Sequence, residues 1–207
     1  RVVEKNNIRI AMLNYTYGLN YSAPEKKWMV DQFSTYDAVA SDLDAAKAAA
    51  DFVIVFAHWG EEGQTEPNRM QTTWAQFLAD HGADLIIGGH PHLVQPLSTV
   101  TADDGRIVPV FYSLGNFLSH QDQVRNMLGG MADVTIEKDA DGVRITHCEL
   151  KPTVNVILRQ GKWYFYRPML LEDYTDDLAA QHRFEKCTVD AMWSLFDSIT
   201  GGRTSVG

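Results

Sequence analysis

Two short runs of apolar residues do most to limit the fold that this chain of 207 residues can adopt. Residues 52–57 and 85–87 contain only apolar side chains, and each run is soon followed by glycine and histidine. A strand without polar residues must be covered on both faces. The segment between the two runs, residues 68–81, has large apolar residues at helical spacing and Gly82 as a stop signal. We therefore expect the first half of the chain to form a layered α/β fold around a covered sheet.

The segments before the first apolar run extend the same pattern. Residues 8–13 are mostly apolar and predict a strand, which leads into a polar, aromatic loop that includes Tyr17 and Tyr21. From about residue 36 to residue 50, alanine and charged residues alternate with apolar residues at helical spacing, which predicts an amphipathic helix. Strand, helix, strand, helix and strand then follow one another in the first half of the chain.

The second half of the chain is typical of β-hairpins. Asp-Gly and Gln-Gly pairs separate short apolar runs there, and such pairs favour tight turns. We predict strands at residues 94–100, 107–112, 131–136, 143–150, 154–158 and 163–166. Apolar residues at helical spacing after these strands predict a last helix from about residue 175 to residue 196.

The charge of the chain limits its partners. It carries 27 acidic and 18 basic residues, a net charge of −9, which repels nucleic acid and anionic membranes at long range. We therefore expect no nucleic-acid partner, and an anionic substrate would need local positive charge. The two cysteines, Cys148 and Cys187, permit one disulfide without showing it. Because the chain begins at Arg1, we interpret it as a processed product or a piece of a longer protein, so that its localisation stays open.

Three histidines follow the two apolar runs and predict a metal site. His90 and His92 lie two residues apart in the sequence Gly-Gly-His-Pro-His, and His58 ends the first run. Imidazole is a common metal ligand near neutral pH, and three of them could hold one zinc ion with an open position for water. The alternative is structural: the paired histidines would cap a tight turn, and His58 alone would be an ordinary core residue. Taken together, the three histidines favour the metal site.

Three further residues near the histidines are weaker candidates for binding substrate or orienting a ligand. Glu62 could orient an imidazole or accept a proton, although glutamates in loops are commonly just solvated. Asn116 could bind substrate or only fix its own turn. Trp59 could form the wall of a pocket, but the core is the usual place for tryptophan. We assign no role to the four remaining histidines, His81, His120, His147 and His182.

These motifs together resemble a known family. The matching segments are Ile8-Arg9-Ile10-Ala11 with Tyr15-Thr16-Tyr17-Gly18 and Asn20; residues 53–60 with Glu62, Pro67 and Gln71; residues 82–92 with Gln95; and Tyr112-Ser113-Leu114-Gly115-Asn116-Phe117. Their order and spacing resemble the bacterial poly-gamma-glutamate capsule synthesis protein family (CapA-like), a branch of the calcineurin-like metallophosphoesterase superfamily. The match covers roughly residues 2–150.

The resemblance implies a four-layer α/β/β/α sandwich of the metallophosphoesterase type. Residues 1–150 would be the C-terminal half of that domain, with its N-terminal half absent from this chain, and residues 151–207 would be a β-hairpin and helix packed on it. The family site implies two divalent ions (Mn, Fe or Zn), with His58 and His90 on one ion and His92 on the other.

The chain also departs from the family pattern. The superfamily takes its other ligands, acidic residues and an Asn-His pair, from the half that precedes the strand at Ile8. That half, or another chain that completes the sheet, is therefore an expected partner. Gly63 stands where the family often has an aromatic residue, and Gly89 where a further histidine is frequent.

The functional expectation follows from the family. It is metal-dependent hydrolysis or transfer at an anionic substrate, a phosphoester or a polymer, in poly-gamma-glutamate capsule biosynthesis. The alternative is a non-catalytic component of the cell envelope that binds or hands on an anionic polymer, and a plainer one is a scaffold whose histidines stabilise the fold. The resemblance also implies an extracytoplasmic protein that associates with a membrane through a segment outside this chain.

Overall fold

A six-stranded sheet forms the centre of the chain. The computed structural model describes residues 1–20, 26 and 29–206, so that Tyr21 of the predicted loop lies outside the described residues. The strands of the sheet are β1 Val2–Lys5, β2 Ile8–Thr16, β3 Phe52–His58, β4 Leu85–Gly89, β5 Val94–Thr101 and β6 Ile107–Leu114. Their spatial order is β1-β2-β3-β4-β6-β5, in which β2, β3, β4 and β6 are parallel and the two edge strands are antiparallel.

The parallel register brings the carboxyl ends of three strands to one edge of the sheet. Thr16 of β2 lies beside His58 of β3, and His58 lies beside Gly89 of β4. In open parallel sheets this edge is where ligands commonly bind.

Two capped helices cover one face of this sheet: α1, Tyr36–Ala49, and α2, Arg69–Asp80. The Thr35 hydroxyl accepts a hydrogen bond from the backbone N–H of Ala38, and Asn68 and Gln71 form a reciprocal capping box at the start of α2. The helices bury apolar residues against the inner positions of the strands, so that the face is closed from water. The principal residues of this core are Val39, Leu43, Val53, Val55, Trp59, Leu78, Ile86 and Val110.

A three-stranded antiparallel sheet covers the opposite face. Its strands are β7 Leu128–Asp139, β8 Gly142–Gln160 and β9 Trp163–Leu170, in that spatial order. Side chains from both sheets, including Phe52, Phe111, Leu150 and Val156, form a second core that Phe196 near the C-terminus joins. Two further helices follow: α3, Asp176–Ala179, and α4, Val189–Thr200. Because α4 contacts both β5 and β7, it lies along both sheets, and the described layers are helices, sheet and sheet.

The structure corrects two sequence-based expectations in the second half. The strands predicted at residues 143–150 and 154–158 are one continuous strand, β8, which also contains the predicted boundary at residue 150. The division of the chain at that residue stays a prediction. The last helix does not run unbroken from residue 175 to residue 196, because it is interrupted between α3 and α4 and restarts with Thr188 as its N-cap.

The interruption is fixed by His182. Its Nε2 lies 3.2 Å from the backbone oxygen of Asn155, and its Nδ1 accepts from the N–H of Phe184 at 2.9 Å. This pairing requires a neutral imidazole with its proton on Nε2. Burial accordingly lowers the pKa of His182 below its ordinary value.

We expect His182 to make the fold sensitive to acid. The unfolded chain takes up a proton at the ordinary histidine pKa of about 6.5, whereas the folded chain resists it, so the stability from this group is present above that pH and lost below it. The free energy of unfolding, measured by urea titration at about pH 7 and about pH 5, should fall less in His182→Ala than in the parent chain. His182→Ala itself should cost about 2 kcal/mol near neutral pH, because two buried hydrogen bonds are lost. An identical pH dependence in the two proteins would contradict this role.

Neither cysteine forms a disulfide: Cys148 and Cys187 are free and buried. Among the described residues, no helix is long and apolar enough to cross a membrane.

Candidate metal centre

The three predicted histidines lie together at the carboxyl edge of the parallel strands. The ring centroids of His58 and His90 are 4.6 Å apart, and those of His90 and His92 are 6.3 Å apart. The ring of Tyr17, just after β2, lies 4.6 Å from that of His90 and stacks against His58 at 6.0 Å. The structure thus brings three imidazoles and one phenol to a single place.

The backbone around His90 and His92 is strained. His90 has a φ of +102° and His92 a φ of +60°, a region that side chains with a Cβ rarely adopt. Such conformations cost on the order of 1–3 kcal/mol each and persist where the surrounding structure enforces them. Here the enforcement comes from the hydrogen bond of the Trp59 N–H to the Gly89 oxygen and that of the Gly63 N–H to the Pro91 oxygen. Strain of this kind is typical of functional sites.

Asn116 orients the imidazole of His92. Its Oδ1 lies 2.9 Å from His92 Nδ1, while its Nδ2 donates to Gln121 Oε1 and to the Asn126 oxygen. Because the amide N–H groups are used elsewhere, the oxygen faces the ring, and His92 Nδ1 must carry the proton. The lone pair is then on Nε2, which is the atom free to bind a metal.

Glu62 lies on the free side of His92. Its Oε1 is 4.0 Å from His92 Nε2, and its side chain is well exposed. Sequence analysis predicted a weak role for both Glu62 and Asn116, and the structure places them on opposite sides of the same ring. Asn116 accepts a hydrogen bond from Nδ1–H of His92, and Glu62 brings a carboxylate near the lone pair on Nε2.

The electrostatic environment keeps two of the histidines neutral. Burial lowers the pKa of His58, and the neighbouring imidazoles His90 and His92 lower it further. Burial also lowers the pKa of His90, partly opposed by the carboxylate of Glu62. A neutral imidazole is the form that binds a metal, so the environment suits ligation.

The distances do not match a single ion held by three histidines. Among the described residues, one group of three side chains brings a ligand atom from each member within 4.8 Å of the others. That group is Asp133, His147 and Glu149, and not the three histidines. The one-zinc arrangement considered from the sequence therefore stays a prediction. The wider spacing of the histidines is compatible with ligands shared between two ions.

No signal in the sequence indicates the group formed by Asp133, His147 and Glu149 on the second sheet, because His147 has no partner at ligand spacing along the chain. The β7–β8 register places Asp133 opposite Glu149, with His147 two residues away on the same strand. His147 Nε2 lies 3.5 Å from Glu149 Oε2 and 3.9 Å from Asp133 Oδ2. However, Lys151 Nζ already contacts Asp133 Oδ2 at 2.5 Å, so this carboxylate has a cation of its own.

Trp59 is a core residue and not the wall of a pocket. Its side chain is completely buried, and its Nε1 donates to the Tyr112 oxygen at 2.9 Å. This hydrogen bond fixes the backbone that follows His58 to β6.

A buried pair of glutamines holds the loop that carries Glu62, and sequence analysis gave this pair no role. Gln71 Nε2 donates to Gln95 Oε1 at 2.7 Å, and Gln95 Nε2 donates to the backbone oxygens of Gln64 and Glu66. Both glutamines are fully buried, so these bonds are shielded from water. The signal was present as Gln71 and Gln95 in the family motif, but their contact depends on the fold.

A cavity of about 710 Å³ opens beside His58. It lies along the edge of β2 between Arg1, which accepts from the N–H of Met12, and Asp31, which accepts from the N–H of Thr16; Leu13, Asn14 and Tyr17 also line it. The candidate site is therefore open toward the β2 edge of the sheet.

We expect Asn116→Ala to weaken divalent metal binding by about 10-fold to 100-fold, because His92 would lose the partner that fixes its ring and tautomer. Isothermal titration of Mn²⁺ or Zn²⁺ measures this affinity. Gln121→Ala is the matched control, since it removes a partner of Asn116 and leaves the contact to His92 intact. Equal affinity in Asn116→Ala and the parent chain would exclude an orienting role.

Comparison with known proteins identifies the family of this chain. The family model described as bacterial capsule synthesis protein PGA_cap matches residues 1–121. The chain therefore belongs to the bacterial capsule synthesis protein family, which confirms the resemblance seen in its motifs.

Two curated relatives are capsule proteins. The chain is 36% identical over 100 residues to the PGA biosynthesis protein CapA of Bacillus subtilis (strain 168), covering 48% of this chain and 25% of that protein. It is 33% identical over 125 residues to the capsule biosynthesis protein CapA of Bacillus anthracis, covering 58% of this chain and 29% of that protein. The matched part of the chain thus spans little more than a quarter of the length of these relatives.

A partial alignment is found with one solved structure, that of a Staphylococcus aureus protein provisionally named 5'-nucleotidase, in complex with alpha-ketoglutarate. The identity is 19%, the TM-score is 0.47, and the alignment covers 72% of this chain and 28% of that one.

Proposed function

We propose that this chain supplies part of a divalent-metal centre of a capsule biosynthesis protein, with His58, His90 and His92 as ligands. The centre would act on an anionic substrate by hydrolysis or transfer. The observation that carries the proposal is the strained turn that holds His90 against His58 and His92 beside His90, with His92 Nδ1 fixed by Asn116. A turn without a ligand has no need of two histidines in unfavourable backbone conformations.

The donor set fits a divalent ion of the Mn, Fe or Zn type, for which imidazole nitrogen is a suitable ligand. When bound, such an ion supplies Lewis-acid polarisation of the substrate and activation of water. The remaining roles belong to residues of this chain. Asn116 keeps the proton on His92 Nδ1, and burial keeps His58 and His90 neutral. Glu62 Oε1 would hold a proton beside His92.

Further ligands would come from outside the described residues. The spacing of the histidines suits two ions better than one, and histidines alone do not complete two coordination shells. We propose that a preceding segment of the same protein, or another chain, completes the site and the sheet. It would approach at the cavity beside His58, along the short part of β2 between the pairings of Met12 and Thr16.

The substrate is proposed to be an anionic polymer such as poly-gamma-glutamate, or a phosphoester. One relative is named for PGA biosynthesis, and the chain itself has a net charge of −9. Positive charge at the site would then come mainly from the metal. A capsule role also supports an extracytoplasmic location, with membrane association through another segment.

A binding role without catalysis is the competing proposal. It is compatible with the same histidine spacing, because three histidines alone leave the coordination of two ions incomplete. The protein would then hold or hand on the anionic polymer.

The test uses this chain together with the segment or partner chain that is proposed to complete the site. Metal content after purification, titration of Mn²⁺ and Zn²⁺ into metal-free protein, and hydrolysis of a model phosphodiester are measured together. We expect bound metal and hydrolysis, both lost in His90→Ala and His92→Ala. Metal binding without hydrolysis, with polymer affinity that survives both substitutions, would support the binding role. A protein that binds no metal and is inert would overturn the proposed centre.

A further inference from the structure

The tip of the β8–β9 hairpin, residues 158–165, exposes large aromatic side chains. Trp163 is 66% exposed, Phe165 is 50% exposed and Tyr164 is 37% exposed. The base of the same hairpin is buried at Val154 and Val156, so the tip extends beyond the core. Exposed apolar groups concentrated at one place on a surface commonly mark a contact site.

The hairpin is also basic, in contrast to the rest of the chain. Between Glu149 and Glu172 the sequence contains no acidic residue, whereas the whole chain has a net charge of −9. The exposed cations of this region include Arg159, Lys162 and Arg167. Local positive charge of this kind offsets the long-range repulsion that the acidic chain exerts on an anionic surface.

These cations are not paired with carboxylates. Within the described part of the chain, none of the three takes part in a salt bridge. Arg159 Nε donates to the backbone oxygen of Gly161, and Lys162 Nζ lies 5.4 Å from the centroid of the Trp163 ring. Their charges therefore remain available to an external anion.

A second exposed apolar segment lies beside the hairpin. Phe117 is 61% exposed and Leu118 is 60% exposed, and His120 of the same loop contacts the hydroxyl of Tyr166 in β9. The loop begins at Asn116, which orients His92. A surface bound to the hairpin would thus lie next to the loop that supports the candidate metal centre.

We propose that the tip of the β8–β9 hairpin is a contact for an anionic lipid bilayer. Aromatic side chains favour the boundary between lipid and water, and Lys and Arg beside them bind anionic headgroups. A dissolved polyanion offers partners for the cations but no apolar medium for Trp163 and Phe165. An anionic bilayer provides both an apolar medium for the aromatic side chains and negative headgroups for the cations.

The experiment measures cosedimentation of the 207-residue chain with vesicles, with EDTA present so that metal plays no part. We expect binding to mixed phosphatidylcholine and phosphatidylglycerol vesicles and little binding to pure phosphatidylcholine. Arg159→Glu with Lys162→Glu should weaken binding by at least about 30-fold, since each basic residue near such a surface contributes about fivefold. Trp163→Ala with Phe165→Ala should weaken it by at least about tenfold.

Two matched controls test the position of the contact. Ile107→Ala removes an apolar side chain that is 70% exposed elsewhere on the surface, and Lys5→Glu reverses a distant exposed charge. Neither should change vesicle binding more than about twofold. Quenching of tryptophan fluorescence by brominated lipid in the unmodified chain gives an independent measurement, because Trp163 is its most exposed tryptophan among those described.

Three results would overturn the proposal. They are no binding of the parent chain to anionic vesicles, equal binding by the Trp163 and Phe165 double variant, and an effect of Ile107→Ala as large as that of the tip. Binding of soluble poly-gamma-glutamate that depends on Arg159 and Lys162, without vesicle binding, would assign the surface to a polymer instead. None of these results depends on the proposed metal centre.

Discussion

Gly88→Ala should strongly destabilise the protein. A Cβ at position 88 would lie 2.1 Å from the Tyr112 oxygen and 2.5 Å from Trp59 Nε1. The first contact is with the backbone of the neighbouring strand, so β4 and β6 would have to separate, and the hydrogen bond between Trp59 and Tyr112 would break. We expect a loss of about 3–4 kcal/mol in the free energy of unfolding, from overpacking and the lost bond together.

The adjacent residue gives the control for this prediction. A Cβ at Gly89 would meet no atom within 4 Å, so Gly89→Ala should change stability by less than about 0.5 kcal/mol. The free space also agrees with the family resemblance, in which a side chain often stands at this position. Thermal unfolding should show a decrease in Tm of roughly 10 °C for Gly88→Ala and almost none for Gly89→Ala. Equal Tm values for the two variants would contradict the observed packing.

The first half of the fold could be predicted because each element is specified by its own residues. The apolar composition of β3 and β4 requires burial on both faces, which the helices and the second sheet provide. Asn68 and Gln71 mark the start of α2, and Gly82 follows its end. These signals lie within each element, and the tertiary contacts stabilise the same elements.

The second half was harder to predict because distant pairing decides its elements. Lys151, Pro152 and Thr153 resemble a break between strands, but they pair with β7 and continue β8. The helix predicted after residue 175 is interrupted because His182 binds the backbone of Asn155, 27 residues away. Helical spacing of apolar residues carries no information on such a contact.

The proximity of the three candidate ligands was predictable, whereas the contacts that support them were not. Histidines that follow neighbouring parallel strands must meet at one edge, so His58, His90 and His92 converge as expected. The backbone strain at His90, and the bonds of Asn116 and Gln95, depend on loops that fold back over that edge. No property of the sequence alone gives those distances.

Metal binding is the prediction that most directly tests these ligands. We expect Mn²⁺ or Zn²⁺ to raise the Tm of the chain, because a ligand that binds only the folded state stabilises it. At a metal concentration about 100 times the dissociation constant, the gain is about 2.7 kcal/mol, or roughly 5–10 °C for a chain of this size. His90→Ala and His92→Ala should each remove most of this increase.

A comparison of His90→Gly with His90→Ala distinguishes loss of a metal ligand from loss of stability, because the backbone at position 90 is strained. Alanine at position 90 keeps a Cβ at a φ of +102°, whereas glycine adopts this conformation without strain. Without metal, His90→Gly should therefore be about 1 kcal/mol more stable than His90→Ala, while neither variant gains stability from the metal. His147→Ala is the control for the group on the second sheet and should keep the full increase in Tm. If His147→Ala lost the increase and His90→Ala kept it, the ion would bind beside Asp133 and Glu149, and the three histidines would not be its ligands.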